Sequence, residues 1–250
     1  MTENDVVNSF ATSHASAANQ RSMAYCGVAS LVVLLLGMWV IAGFVPPPGP
    51  NNSLEQIVAV YTDHSVRIRF GLIVACAGVT LLGPWTAVIA IQMRRIEGEF
   101  APLALTQAML GAVLIVEFYV PSVMWMAAAF RPEVDAAFTY RLHDLASITF
   151  VSLPWSAALQ AILLAIAILQ DKHDQPVFPR WLGYLSVWAA ISFLPGAFNS
   201  LAKTGVIAWN GVLAWWLGLT AFGIWIFAVS FCLLRYAIPD QEAARAQVRP

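Results

Sequence analysis

The sequence predicts an all-α polytopic membrane protein, a helical bundle with six transmembrane helices. Of its 250 residues 60% are hydrophobic and only 11% are charged, whereas a soluble protein carries about 25% charged residues. Six apolar stretches are each long enough for a helix of about 20 residues to cross a bilayer core of about 30 Å. A barrel strand needs only about ten alternating residues, so the length of these runs favours helices. We therefore expect the lipid bilayer to surround the protein.

Run length sets the boundaries of the six predicted spans. The spans are 25–45, 70–93, 103–130, 145–169, 181–200 and 208–236. Together they form one transmembrane domain at residues 23–237, which precedes a short C-terminal tail at 238–250. Residues 1–22 form a polar N-terminal tail rich in Ser, Ala, Thr and Asn, and this composition predicts disorder.

Basic residues predict the orientation, because cytoplasmic loops carry an excess of Lys and Arg. With both termini inside, eight basic residues lie in the cytoplasm: Arg21, Arg94, Arg95, Lys172, Arg180, Arg235, Arg245 and Arg249. Five lie outside: Arg67, Arg69, Arg131, Arg141 and Lys203. We therefore expect cytoplasmic N- and C-termini.

Two of the outer loops carry helical patterns. In "NSLEQIVAVYTDHSVRI" the pair Ser53 and Gln56 has capping-box spacing, and apolar residues then recur with a helical period. This pattern predicts an amphipathic helix lying on the outer leaflet. The segment "RPEVDAAFTYRLHD" predicts a second, shorter one, because Pro132, Glu133 and Asp135 suit a helix N-terminus.

A threefold repeat is a further hypothesis. Pro46, Pro121 and Pro195 end the similar triplets "FVP", "YVP" and "FLP" and are 75 and 74 residues apart, while Trp85, Trp155 and Trp225 are each 70 residues apart. Three parallel helical hairpins would explain both spacings. Coincidence in an apolar chain with ten tryptophans is the alternative.

Glu117 is the leading candidate site residue. It lies in "VEFYVPSV", near the middle of the third span, where a charged side chain is costly unless it faces the bundle interior, is neutral or has a partner. Pro121, four residues on, cannot donate the backbone hydrogen bond that the Glu117 carbonyl would otherwise accept. A carboxylate and an interrupted backbone ladder therefore coincide at one level of the membrane.

Glu117 has two interpretations. In the functional one it forms a ligand, ion or proton site that opens outward, and outer-loop groups are its candidate partners: Asp63, His64, Arg67, Arg141, His143 and Asp144. In the structural one it is neutralised by Arg141 or by a neighbouring hydroxyl and only fixes helix packing. The sequence leaves both open.

The sequence predicts no cofactor or metal and assigns no catalytic residue. His64 and His143 each adjoin an aspartate, which suits a shared metal or haem site, but H-x-x-x-H, E-x-x-H and C-x-x-C motifs are all missing. No G-x-S-x-G nucleophile motif occurs either. The formal net charge of −1 argues against a nucleic-acid partner.

The loop "FPRWLGYL", the segment "RLHDL" before the fourth span and the polar tail before the first span together resemble an uncharacterised group of bacterial six-span integral membrane proteins. The motif from Phe178 to Gly183 is the most specific part of this resemblance. The resemblance implies six-span topology and a location in the bacterial inner membrane. The group has no assigned activity, so no site residue is transferred.

Three functions fit these observations. The leading hypothesis is the binding or transport of a small lipophilic or weakly charged molecule through an outward-facing pocket near Glu117. The second is a non-catalytic interaction or assembly subunit, with a membrane protein or a second copy of the chain as its partner. The third is a membrane-embedded enzyme with a metal held by His64, His143 and carboxylates. Enzymatic activity is the less favoured class because catalytic motifs are missing.

Overall fold

The computed structural model describes residues 3–152 and 154–247, with side chains for 17–152 and 154–243, and this part of the chain contains no β-strand. The α-helices are α1 (Glu3–Leu35), α2 (Leu54–Thr80), α3 (Leu82–Glu97), α4 (Pro102–Ala128), α5 (Ala136–Ser152), α6 (Trp155–Gln170), α7 (Arg180–Phe193), α8 (Gly218–Cys232) and α9 (Ile238–Gln247). The segments Leu36–Ile41, Val212–Leu217 and Leu233–Ala237 are π-helical, and Leu194–Leu201 is a 3₁₀-helix.

Among the described residues, six helical segments are long and apolar enough to cross a membrane. They are Ala17–Ile41, Leu54–Glu97, Pro102–Ala128, Ala136–Gln170, Arg180–Leu201 and Val212–Ala243. Each overlaps one predicted span, so the all-α six-span fold class is confirmed. The second and fourth segments begin well before the predicted spans, because the helices of the two preceding loops run directly into them.

At the N-terminus α1 begins at Glu3 and continues into the first span, while the disorder expected for the tail stays a prediction. The tail contains several alanines, which have the highest helix propensity. Ala17 and Gln20 are also buried, each with 5% of its surface exposed. Local propensity and packing near the span therefore extend the helix. Residues 1 and 2 lie outside the described residues.

The bundle has two ends, which we call the terminal end and the distal end. The terminal end carries both chain termini and the loops 98–101 and 171–179, and the distal end carries the loops 42–53, 129–135 and 202–211. At the terminal end Arg21 of α1 forms an ion pair with Glu242 of α9. At the distal end the indole N–H of Trp209 donates to the carbonyl of Pro48 at 3.0 Å. Each end is therefore held together by contacts between parts of the chain that are distant in the sequence.

Both helices that the sequence predicts for the distal loops begin where expected. Ser53 and Gln56 form the predicted capping box at the start of α2. Asp135 accepts a hydrogen bond from the backbone N–H of Phe138 at 2.9 Å and so caps α5. These carboxylate and hydroxyl oxygens bind N–H groups that have no partner inside the helix.

The two helices are not separate surface helices, which corrects that prediction. Residues 54–63 continue through a kink at His64 (φ −126°, ψ 20°) into the second span. Ile57 and Tyr61 are buried, with 1% and 0% of their surfaces exposed. α5 likewise runs from its cap into the fourth span. The apolar face that predicted contact with lipid packs on the bundle instead.

Glycines allow the first two spans to approach each other closely. A Cβ atom added to Gly37 would lie 2.4 Å from the backbone nitrogen of Ala75, and one added to Gly71 would lie 2.5 Å from that of Ala42. Both distances are far below van der Waals contact. Small residues at such a seam let helix backbones pack directly against each other in a membrane.

The three tryptophans of the suggested repeat lie in different surroundings. Trp85 and Trp225 are fully buried, their ring centroids are 5.4 Å apart, and their indole N–H groups donate to Ser230 and Ser186. Trp155, in contrast, has 55% of its surface exposed. The tryptophans therefore add no structural support to the threefold repeat, which stays a prediction.

Candidate functional site

A cavity of about 120 Å³ lies in the bundle among α1, α4, α5, α6, α7 and α8, and α2 and α3 contribute no lining residue. Its walls extend from Leu34 and Glu117 within the bundle to Val45 and Gly196 toward the distal end. Glu117 is the only charged residue among the described lining residues. The cavity is therefore an apolar space with one carboxyl group in its wall.

Glu117 occupies the middle of α4, and the helix continues past Pro121 to Ala128. Proline has no N–H, so it cannot bond the Glu117 carbonyl. One residue further along, the hydroxyl of Ser122 donates to the carbonyl of Phe118 at 2.8 Å. The coincidence of a carboxyl group and an interrupted backbone ladder, expected from the sequence, thus lies at the cavity wall.

Ser156 is the described hydrogen-bond partner of the Glu117 side chain: its hydroxyl donates to the carboxylate. Ser156 is buried, with 4% of its surface exposed, and lies in the first turn of α6. Pro154 is the N-terminal cap residue of α6 and also lines the cavity. The break between α5 and α6 therefore places both a helix start and a hydroxyl group beside Glu117.

Aromatic side chains form one wall of the cavity, and Phe150 is at their centre. Its ring centroid lies 5.3 Å from those of Phe118 and Trp125 and 5.5 Å from that of Trp215. The indole N–H groups of Trp125 and Trp215 are buried and have no hydrogen-bond partner among the described residues. Trp215 itself lines the cavity. One residue of the cavity wall therefore carries an indole N–H without a hydrogen-bond partner among the described residues.

His143 belongs to a second polar group, at the distal end. Its Nε2 lies 3.0 Å from the carbonyl oxygen of Pro48, and its Nδ1 lies 2.8 Å from the hydroxyl of Tyr61. A carbonyl only accepts hydrogen bonds, so Nε2 carries the proton and Nδ1 accepts from Tyr61. Trp209 donates to the same Pro48 carbonyl. His143 therefore ties the proline-rich loop 42–53 to α2 and α5.

Phe44 connects this distal group to the cavity wall. Its ring centroid lies 6.5 Å from that of His143, 5.9 Å from that of Tyr61 and 5.4 Å from that of Trp125. The next residue, Val45, lines the cavity. The loop that His143 holds thus supplies part of the cavity's distal boundary.

The candidate partners of Glu117 do not line its cavity. Asp63, His64 and Arg141 are exposed, and Asp144 is half-buried and interacts electrostatically with Lys203. His143 is buried, but in the distal group. The group that contacts the carboxylate is instead the hydroxyl of Ser156. The structural interpretation named either Arg141 or such a hydroxyl as the partner.

The two histidines of the metal hypothesis occupy unlike positions. His64 is at the exposed kink of α2, whereas both ring nitrogens of His143 bond to protein groups. Within the described residues, no group of three or more His, Cys, Asp or Glu side chains is placed to hold a metal ion.

Sequence reasoning missed Ser156, Gly218 and the aromatic wall. Gly218 lines the cavity, and a Cβ atom added there would meet no heavy atom within 4 Å. Pro154, two residues before Ser156, was the available signal, because a proline inside an apolar run marks a break in the helix.

The loop 171–179 at the terminal end contains a separate carboxylate. Asp171 accepts hydrogen bonds from the backbone N–H groups of His173 at 3.0 Å and Val177 at 2.9 Å, and from the His173 ring. Burial acts to raise the pKa of the Asp171 carboxyl, but these bonds outweigh burial and hold the pKa below its usual value. Asp171 therefore holds the backbone of the loop 171–179 in place through these hydrogen bonds.

No protein-family profile, curated protein or solved structure matches the chain. The resemblance to bacterial six-span proteins accordingly stays a prediction, and the site rests on its own geometry.

Proposed function

We propose that this integral membrane protein binds a small, largely apolar molecule in the cavity beside Glu117. The observation that carries the proposal is the presence of one carboxyl group in an otherwise uncharged lining. A carboxyl group within a membrane bundle is costly to retain and marks a functional site by default. Ligand sites in proteins have this composition, namely mostly apolar walls with a few placed polar groups.

The size of the cavity limits the ligand. A volume of about 120 Å³ is slightly below that of an apolar cavity of roughly 150 Å³ that admits benzene. The proposed ligand is therefore of the size of one aromatic ring or a short alkyl chain. Gly218 lines this space, and a Cβ atom added to it would meet no heavy atom within 4 Å.

The ligand enters from the distal end, which faces outward in this proposal. The lining reaches Val45 and Gly196 near that end, and the majority of the basic residues belong to the terminal end and so favour cytoplasmic termini. The proposed location is the bacterial inner membrane. A fluorescent protein that folds only in the cytoplasm, fused to the C-terminus, should give signal. Signal only from fusions to the loop 202–211 would reverse the orientation.

Native mass spectrometry of protein extracted in mild detergent tests the proposal directly. We expect the wild-type protein to retain a small molecule and Gly218→Leu to lose it, because the added side chain fills the cavity. Gly223→Leu is the matched control. Gly223 lies on the same helix, also has open space around it and does not line the cavity.

Equal retention by the wild type and Gly218→Leu would contradict a site in this cavity. A wild-type protein that carries no small molecule, and that binds neither a small aromatic alcohol nor a small aromatic amine added to it, would contradict the proposed function altogether. A stable complex with another protein would favour the assembly role instead.

A further inference from the structure

Resting on the proposed function, we propose that the ligand class is a small lipophilic amine, bound in its ammonium form with the cation beside Glu117. The apolar walls hold the hydrocarbon part of such a molecule, and the carboxylate and aromatic rings hold its charged end. This proposal therefore specifies the charge of the ligand and its orientation in the cavity.

Glu117 has no counter-ion among the described residues that line its cavity. The described residues that line the cavity include no Lys, Arg or His, and the partner of the carboxylate is the neutral hydroxyl of Ser156. A carboxylate inside a membrane bundle is stabilised by a positive partner. The described lining supplies no such partner, so a bound ammonium group would complete the pair.

The aromatic walls of the cavity also suit an organic cation. Five aromatic residues line the same cavity: Phe118, Phe150, Phe193, Trp215 and Phe222. Several of these rings are in mutual contact, with centroid separations of 5.3 Å for Phe118 and Phe150 and 5.7 Å for Phe118 and Phe222. Aromatic faces attract organic cations and also bury their hydrocarbon groups. Phe118 directly follows Glu117, so a ring and the carboxyl group belong to the same turn of α4.

Other ligand charges fit this site less well. An anion would meet the Glu117 carboxylate with no positive lining residue to offset the repulsion. A neutral molecule of the same shape would fill the apolar space but would leave the carboxylate with its single hydroxyl partner. An ammonium ion would pair with the carboxylate and would also be attracted by the aromatic rings.

The test compares 4-fluorobenzylamine, which is protonated at neutral pH, with 4-fluorobenzyl alcohol, its neutral counterpart of nearly equal size. Binding of each to the full-length protein in detergent micelles is measured by ligand-observed fluorine NMR. Gly218→Leu in identical micelles gives the signal that arises from partition into detergent. We expect the wild-type protein to bind the amine about tenfold more tightly than the alcohol, because a hydrogen bond to a charged group is the stronger kind.

Glu117→Gln keeps the shape of the side chain and removes its charge. We expect this variant to lose the preference for the amine, a change of about tenfold in the ratio of the two affinities. Binding of the alcohol by the variant shows that it is folded.

The outcomes separate this inference from the function on which it rests. Equal or weaker binding of the amine by the wild-type protein overturns the amine assignment but leaves the cavity as a site for neutral molecules. A preference for the amine that persists in Glu117→Gln overturns the role of the carboxylate. Binding of neither compound to the wild-type protein contradicts the cavity function itself.

Discussion

The hydroxyl of Ser156 donates a hydrogen bond to the carboxylate of Glu117 and so joins α6 to α4 at the wall of the cavity. The two residues are 39 positions apart in the chain. This bond gives one carboxylate oxygen a partner without neutralising its charge. Glu117 is therefore tied into the packing of the bundle and still lines the cavity, so the structural and functional interpretations are compatible.

A double-mutant cycle measures this bond. We expect Ser156→Ala and Glu117→Gln each to lower the free energy of unfolding, and the two changes together to cost less than their sum, by about 0.5–3 kcal/mol. The physical reason is that each substitution already removes the same charge-assisted bond. Unfolding in mixed micelles with increasing dodecyl sulfate gives the four stabilities. Strictly additive effects would show that the bond contributes nothing.

The sequence was sufficient to predict the six spans and to single out Glu117. Apolar run length is a local property, and a carboxylate within such a run is visible without any knowledge of tertiary structure. Ser156 was not predictable in the same way, because a hydroxyl in an apolar span has several uses. Its role depends on the register between α4 and α6, which is set by packing across the bundle.

The burial of His143 was not predictable from the sequence either. Its position before the fourth span favoured an outer-loop group near Glu117, but α5 begins at Ala136 and buries it against Tyr61 and Pro48. The helix start at Asp135 was foreseen from local capping chemistry. Which face of that helix turns inward depends on residues from the loop 42–53, which lies far away in the sequence.

Gly37 should tolerate no side chain. An alanine Cβ there would lie 2.4 Å from the backbone nitrogen of Ala75, and forcing the helices apart should cost about 1–3 kcal/mol. We expect Gly37→Ala to lower the midpoint of thermal unfolding. Gly223→Ala is the control, because a Cβ there meets no heavy atom within 4 Å. Equal stability of the two variants would argue against the close approach of the first two spans.

Tyr61→Phe should destabilise the distal end. The change leaves Nδ1 of the buried His143 without its donor, and an unsatisfied buried acceptor costs about 1–3 kcal/mol. Thermal unfolding in micelles measures the loss. Tyr25→Phe removes a hydroxyl from a residue with 61% of its surface exposed and should change little. If both variants match the wild type, the bond between Tyr61 and His143 has no energetic role.

Asp171 should make the stability of the protein depend on pH. Its hydrogen bonds hold the folded-state pKa of the carboxyl below the unfolded value, so the unfolded state binds more protons as the pH falls. The contribution is therefore complete above the usual aspartate pKa of about 3.9 and is lost as the pH falls through the lower folded value.

The variant Asp171→Asn isolates this effect. We expect it to be less stable than the wild type by about 1–3 kcal/mol at neutral pH, because charge-assisted bonds to the carboxylate are lost. The difference should shrink below the unfolded pKa of about 3.9, where the wild-type carboxyl also becomes protonated. Thermal midpoints recorded across this range measure it. Asp174→Asn, at an exposed position of the same loop, is the control and should be as stable as the wild type at neutral pH. A gap between the wild type and Asp171→Asn that stays constant into strong acid would mean that the loop depends on the shape of this side chain and not on its charge.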